Sequence, residues 1–230
     1  MNDQIYQWGI RGIQALQGIP MLAQPLTAVS RIWLRHQKIS QFLAWGGFDT
    51  VVDGGANVGE FASSVRAVLP NAQLLCVEPH APSASLLRKQ GFTVIEAALW
   101  HEKTRLNLSQ PTTATTSCTV MAAADQGNIG SWEVETFRLD DLPVDGRNVF
   151  IKLDLQGAEI PALRGMDGLW ARTNAIQLEV SIGDTGTYRE LSRMLEDEGF
   201  NEYSTPNELS QGNQVVEADK IWLRRGFQPR

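Results

Sequence analysis

The stretch from Thr50 to Pro79, TVVDGGANVGEFASSVRAVLPNAQLLCVEP, constrains the fold of this chain more than any other. Thr50-Val51-Val52 is a short β-branched run, as expected of a parallel strand covered on both faces. Asp53 ends it. Gly54, Gly55 and Gly59 surround a turn where the backbone must bend sharply and where a ligand can approach without meeting Cβ atoms. The spacing of Phe61 and Val65 predicts a helix from about Val58 to Leu69, stopped by Pro70. Leu74 to Val77 is the next buried strand, with Glu78 at its carboxyl end. Strand, glycine turn, helix and strand make half of a nucleotide-binding sheet.

The spacing narrows the nucleotide. A dinucleotide site would read G-x-G-x-x-G, whereas here the residue two after Gly54 is Ala56, followed by Asn57, Val58 and Gly59. A carboxylate at the tip of the first strand would repel a phosphate at short range. Asp53 suits a ligand carrying an ammonium group, and Glu78 suits a ribose diol because an ionised carboxylate accepts from both hydroxyls. A cationic amino acid joined to an unphosphorylated ribose describes S-adenosylmethionine. The plainer alternative is a helix cap at Asp53 and a solvated loop residue at Glu78.

With 230 residues, 43% hydrophobic and 20% charged, the chain is sized for one globular α/β domain. A net charge of −6 lacks the basic footprint of a nucleic-acid binder. Cys76 and Cys118 suggest free thiols in a reducing compartment. No apolar run has membrane-spanning length, so a cytoplasmic protein is expected.

Residues 1–48 are predicted as an N-terminal helical extension, with helices at about 3–17 and 25–45, the second ended by Gly46-Gly47. These helices are candidates for covering a sheet edge, closing the cofactor pocket or forming a homodimer contact. Arg31, Arg35, His36 and Lys38 form a basic stripe, read first as a solvated face. Residues 49–230 form the catalytic domain. After Glu78, Pro79-His80-Ala81-Pro82 opens a helix to about Gln90, and Phe92 to Leu99 is the third strand. Trp100 follows it as a candidate for stacking on a base, or as core. His80 and His101 lie near strand tips as candidate bases or solvated loop residues. Residues 103–140 break the α/β alternation with two strands, Arg105–Leu108 and Trp132–Leu139. The polar segment between them is expected to face the substrate or to be disordered. Val149 to Leu153 is the fourth strand, with Asp154 at its tip and a helix from Gln156 to about Met166. Asn174 to Ile182 is the fifth, with Glu179 near its end. A helix over Thr187–Glu198 and strands at 201–205 and 219–225 complete the chain.

The blocks VVDGGANVGEF, CVEP, AALW, FRLDDLP, IKLDLQGAEIPALRGM and IQLEVS, in that order, resemble the FkbM-type family of S-adenosylmethionine-dependent methyltransferases over residues 50–182. The resemblance implies a Rossmann-like class I methyltransferase fold. Its seven-stranded, mostly parallel sheet carries helices on both faces. The implied activity is methyl transfer to a hydroxyl of a sugar, glycolipid or natural product. It implies cofactor contacts from Asp53, Gly54, Gly55, Ala56, Asn57, Gly59, Glu78, Pro79, Ala98 and Asp154. The sequence departs from the family where Gln156 replaces a glutamate.

An alcohol needs a base or a metal to become a nucleophile. Asp154 is expected nearest the transferred methyl, with His80 and His101 as alternatives. A Mg²⁺ ion on Asp154 and Glu179 is a second route. Lys152 and Glu159 read either as structural charges or as substrate contacts. Two other functions fit the same residues: an aminopropyl-type transferase, and a non-catalytic S-adenosylmethionine-binding partner protein.

Overall fold

The computed structural model describes residues 37–111, 119–120, 128–211 and 214–229. The chain divides into two compact units, Met1–Ile39 and Ser40–Arg230, and the second carries the fold. The predicted helix at 3–17 and most of the basic stripe lie outside the described residues. A helix covering 37–46 (α1) ends as expected before Gly47, whose φ of 56° is left-handed.

Five neighbouring strands of the main sheet run parallel: β1 (Thr50–Gly54), β2 (Gln73–Val77), β3 (Thr93–Ile95), β8 (Val149–Leu153) and β9 (Thr173–Ser181). The antiparallel pair β10 (Phe200–Gln211) and β11 (Gln214–Arg224) closes one side, giving the order β10-β11-β9-β8-β1-β2-β3. This is the seven-stranded, mostly parallel sheet expected from the sequence. Both closing strands are longer than predicted, because each continues the ladder through polar residues that hydropathy alone would leave as loop.

Helices cover both faces. Alternation along β8 sends Phe150 to one side, where it meets Phe42 of α1 and Phe61 of α2 (Glu60–Val68). Ile151 and Leu153 point the other way. They share a core with Ile176, Leu178, Val180 and with Leu191 and Leu195 of a C-terminal helix, Thr185–Asp197. That helix starts two residues before its predicted start, because the Asp184 side chain accepts from the N–H groups of Gly186 and Thr187 and caps it. The helix after β2, α3 (Ala81–Lys89), starts one residue past His80. The helix after β8, α4 (Glu159–Leu163), is shorter than the predicted span from Gln156 to Met166. The C-terminal helix is therefore α5.

The predicted third strand, Phe92–Leu99, is two strands in the structure. β3 ends at Ile95, where the Ala97 N–H turns back to the Ile95 carbonyl at 3.1 Å. Ala98–Leu99 (β4) then joins a second sheet, β4-β7-β5-β6, with β5 (Arg105–Pro111), β6 (Thr119–Val120) and β7 (Asn128–Phe137). The polar segment expected to face the substrate is described only at β6 between the ends of β5 and β7; residues 112–118 and 121–127 lie outside the described residues. Among the described residues, no helix is long and apolar enough to cross a membrane.

Asp140 in the FRLDDLP block ties this region to the main domain. Its Oδ2 accepts from Asp167 N (2.8 Å) and Gly168 N (3.0 Å), and its Oδ1 accepts from Leu169 N (2.9 Å). Burial pushes the Asp140 carboxyl upward, but these donors outweigh it and hold its pKa below the ordinary value. Because the folded state lowers the pKa, the resulting stabilisation is present above about pH 4, the unfolded value, and is lost as pH falls through the folded one. Asp140→Asn is expected to cost about 1–3 kcal/mol at pH 7. Urea denaturation of both proteins across pH 2–7 should show that gap closing as the pH falls.

Candidate active site

The carboxyl edge of the parallel strands holds most of the residues singled out from the sequence. The chain leaves β1 through Gly55, whose φ is 72°. A Cβ there would lie 2.0 Å from the Asp154 carbonyl oxygen, so only glycine lets the turn after β1 touch the turn after β8. Gly55 N and Ala56 N both donate to Val77 O, at 2.9 and 3.2 Å. Gly59, with φ 88°, lies at the start of α2; a Cβ there would come within 2.7 Å of Leu87.

Glu78 holds this turn from the tip of β2. Its Oε2 accepts from Asn57 N at 2.7 Å and its Oε1 from His80 N at 2.8 Å. Each oxygen retains a second lone pair. The side chain is 6% exposed, and burial raises its pKa against the pull of those two donors. Pro79, between the two, continues the chain toward α3.

Asp53 is fully buried, and its Oδ1 lies 3.3 Å from Lys152 Nζ. The register that sets Asp53 beside Lys152 thus gives it an ammonium partner from within the chain. Lys152 Nζ also lies 3.4 Å from Asp154 Oδ2 and donates to Gly55 O at 3.4 Å. Burial alone would lower the Lys152 pKa, yet Asp53 and Asp154 raise it above the ordinary value. Asp154 is the carboxylate that reaches the edge, with a side chain 29% exposed against 0% for Asp53. Burial works to raise its pKa, while Lys152 and Gln156 hold it down.

Gln156 has φ 55°, an uncommon value for a residue other than glycine. Its Nε2 donates to Asp154 Oδ1 at 3.0 Å and to Glu179 Oε2 at 2.6 Å. The two carboxylates considered as a Mg²⁺ pair are therefore bridged by an amide donor. Among the described residues, no group of three or more His, Cys, Asp or Glu side chains is placed to hold a metal. This donor set does not fit a Mg²⁺ centre. A cavity of about 290 Å³ opens beside Glu179, lined also by Gln156, Ser181, Asp184, Tyr188 and Glu217.

The remaining candidates are spread more widely. Glu159 is 4% exposed and accepts from Leu155 N (2.7 Å) and Gly157 N (3.1 Å), so it serves as a helix-start acceptor. His80 Nδ1 lies 2.8 Å from Ser83 Oγ, and its ring is 5.5 Å from Trp132, a neighbour that periodicity does not reveal. His101 is exposed in the turn before β5, 3.6 Å from Glu102 and beside Trp100. Ala98 packs with Leu108 and Val134 in the core of the small sheet. Sequence reasoning allowed a structural ion pair at Lys152 without naming its partners, and it missed the Gln156 bridge. The signal for the first was a lysine inside the apolar strand VFIKL, which requires a buried partner.

Replacing one member of a buried pair strands the other. Lys152→Met is expected to lose about 3–5 kcal/mol in urea denaturation. Adding Asp53→Asn should recover a large part of that loss; strictly additive losses would show that the pair is not what holds the edge.

The methyltransferase FkbM domain matches residues 53–202. Among solved structures, the chain is similar to the methyltransferase FkbM from Methylobacillus flagellatus KT at 16% identity and a TM-score of 0.47. That match covers 77% of this chain and 44% of the other, so the chain spans less than half that protein's length. It is also similar to the magnesium protoporphyrin IX methyltransferase from Synechocystis PCC 6803, solved with bound S-adenosylmethionine: 12% identity, TM-score 0.48, 83% of this chain and 80% of that one. A TehB-like S-adenosylmethionine-dependent methyltransferase from Corynebacterium glutamicum ATCC 13032 Kitasato matches at 8% identity and TM-score 0.48, over 88% and 96% of the two chains. No curated protein matches the sequence. The family match begins at Asp53 and takes in the glycine turn, Glu78, Lys152, Asp154 and Glu179, and by it the chain belongs to the FkbM family of methyltransferases.

Proposed function

We propose that the chain transfers a methyl group from S-adenosylmethionine to a hydroxyl of a sugar, glycolipid or natural-product acceptor. The observation that carries this reading is the grouping of Glu78, the glycine turn and Asp154 at one sheet edge, with a cavity at Gln156 and Glu179 that Asp154 adjoins through the Gln156 amide. Glu78 keeps a free lone pair on each oxygen for a ribose diol. The turn at Gly54 and Gly55 presents bare backbone to a nucleoside. Asp154, kept ionised by Lys152, faces the positive end of the ligand. Asp53 supports this arrangement from behind, as the partner of Lys152.

S-adenosylmethionine supplies the methyl already activated on a sulfonium. The protein must then orient the acceptor oxygen, exclude water and provide a place for its proton. The carboxylates that line the cavity offer such a place. The net charge of −6 and the carboxylates of the cavity favour a small neutral or cationic acceptor over a nucleic acid.

Calorimetry with S-adenosylhomocysteine is the test. Wild type is expected to bind in the micromolar range, and Glu78→Ala or Asp154→Ala to weaken binding about tenfold or more, the loss of one charged hydrogen bond. Mass spectrometry of a panel of monosaccharides, glycosides and polyketide alcohols incubated with protein and S-adenosylmethionine should then show one added methyl. Folded wild type that does not bind S-adenosylhomocysteine would overturn the reading.

A further inference from the structure

We infer that Glu179 is the group that takes the proton of the acceptor hydroxyl, and that Gln156 positions it against Asp154. This rests on the methyltransferase reading above. Four carboxylates of the strand tips and the β8 turn are engaged by Lys152, by backbone donors or by both. Asp53 is buried against Lys152. Both oxygens of Glu78 receive turn amides. Glu159 accepts from the backbone at the start of α4. Asp154 is held ionised by Lys152 and Gln156, which makes it a weak base. Glu179 accepts from the Gln156 amide at 2.6 Å, and among the carboxylates lining the cavity it is the one that shares this donor with Asp154.

The fold delivers it there. In the register of β8 and β9, Lys152 lies opposite Gln177, so two-residue alternation puts Glu179 on the Lys152 face, near the end of the strand. Gln156 reaches it from the β8 turn in a left-handed conformation, a strained arrangement of the kind that collects at functional sites. Among the described residues, the charges around Glu179 are mostly negative. Asp154 is hydrogen-bonded to it side chain to side chain and shares its Gln156 donor, Glu217 and Asp219 face it from β11, and Asp184 and Tyr188 of the α5 end share the cavity. Lys152, on the far side of Asp154, is the nearby cation. Burial first, and then Asp154, Glu217 and Asp219, push the Glu179 carboxyl up to about 8, close to the pH at which a base works best.

In the transfer, the hydroxyl proton passes to a Glu179 oxygen as the acceptor oxygen bonds to the methyl carbon. The carbon–sulfur bond breaks, and its electron pair stays on sulfur as a neutral thioether. The proton on Glu179 then returns to water. A positive ligand beside Asp154 offsets the negative field on Glu179 and lowers its proton affinity, so the base is readied when the methyl donor arrives.

The test is a ¹³C NMR titration of glutamate carboxyls in labelled full-length protein bound to S-adenosylhomocysteine, which has neutral sulfur, or to S-adenosylmethionine. One carboxyl should titrate near 8 in the first complex and about one pH unit lower in the second. Glu179→Gln should remove that resonance while the protein stays folded and still binds S-adenosylhomocysteine. Gln156→Ala should move the titration higher, because the shared amide donor is lost. A Glu179 carboxyl titrating near the ordinary value of about 4, or equally in both complexes, overturns the inference and leaves the cofactor reading intact. Failure of folded wild type to bind either nucleoside overturns both.

Discussion

A single ammonium group, Nζ of Lys152, sits where the two halves of the sheet meet, between Asp53 of β1 and Asp154 beyond β8. A buried lysine is tolerated only where opposite charge surrounds it. That requirement fixes which side chains of the neighbouring strands can stand at this level. Asp53 gives up its contact with solvent to satisfy it, and the lysine's charge helps to hold the Asp154 carboxyl below its ordinary pKa. The lysine also donates to Gly55 O, so the glycine turn is tied to the same charge. Nearby Cys76 feels the reverse effect: burial and Asp53 push its thiol up to about 12, leaving it a core residue.

Much of this architecture was legible in the residues. Val149–Leu153 matches its strand end to end, and β1, β2 and β9 lie within two residues of their expected bounds, because continuous apolar runs ended by acidic or glycine residues leave little choice of conformation. The failures have physical causes. Phe92–Leu99 reads as one apolar run interrupted only by Thr93 and Glu96, and the exposed Glu96 marks the point where it leaves one sheet for the other. The start of α4 was misplaced because QGAE looks like a helix opening, whereas Gln156 and Gly157 both take positive φ.

The site was legible as a list of positions more than as a set of partnerships. Glu78 and Asp154 could be found from their places at strand tips. What each binds depends on register and on loops that return from distant sequence. Asp53 shows the limit: its location was correct, but the cation beside it comes from Lys152, nearly a hundred residues later along the chain. Gln156 shows the opposite case. Its departure from the family's glutamate removes a charge but adds a donor, and the structure uses that donor to join two carboxylates.

The contact between Gly55 and the Asp154 carbonyl has a consequence for how this edge can change shape. The turn after β1 and the turn after β8 meet backbone to backbone, so lengthening or reshaping residues 154–158 would push directly on the glycine turn. The cavity beside Glu179 is bordered instead by the side chains of Asp184, Tyr188 and Glu217. Substitution of those side chains can alter its shape and charge without moving the shared backbone.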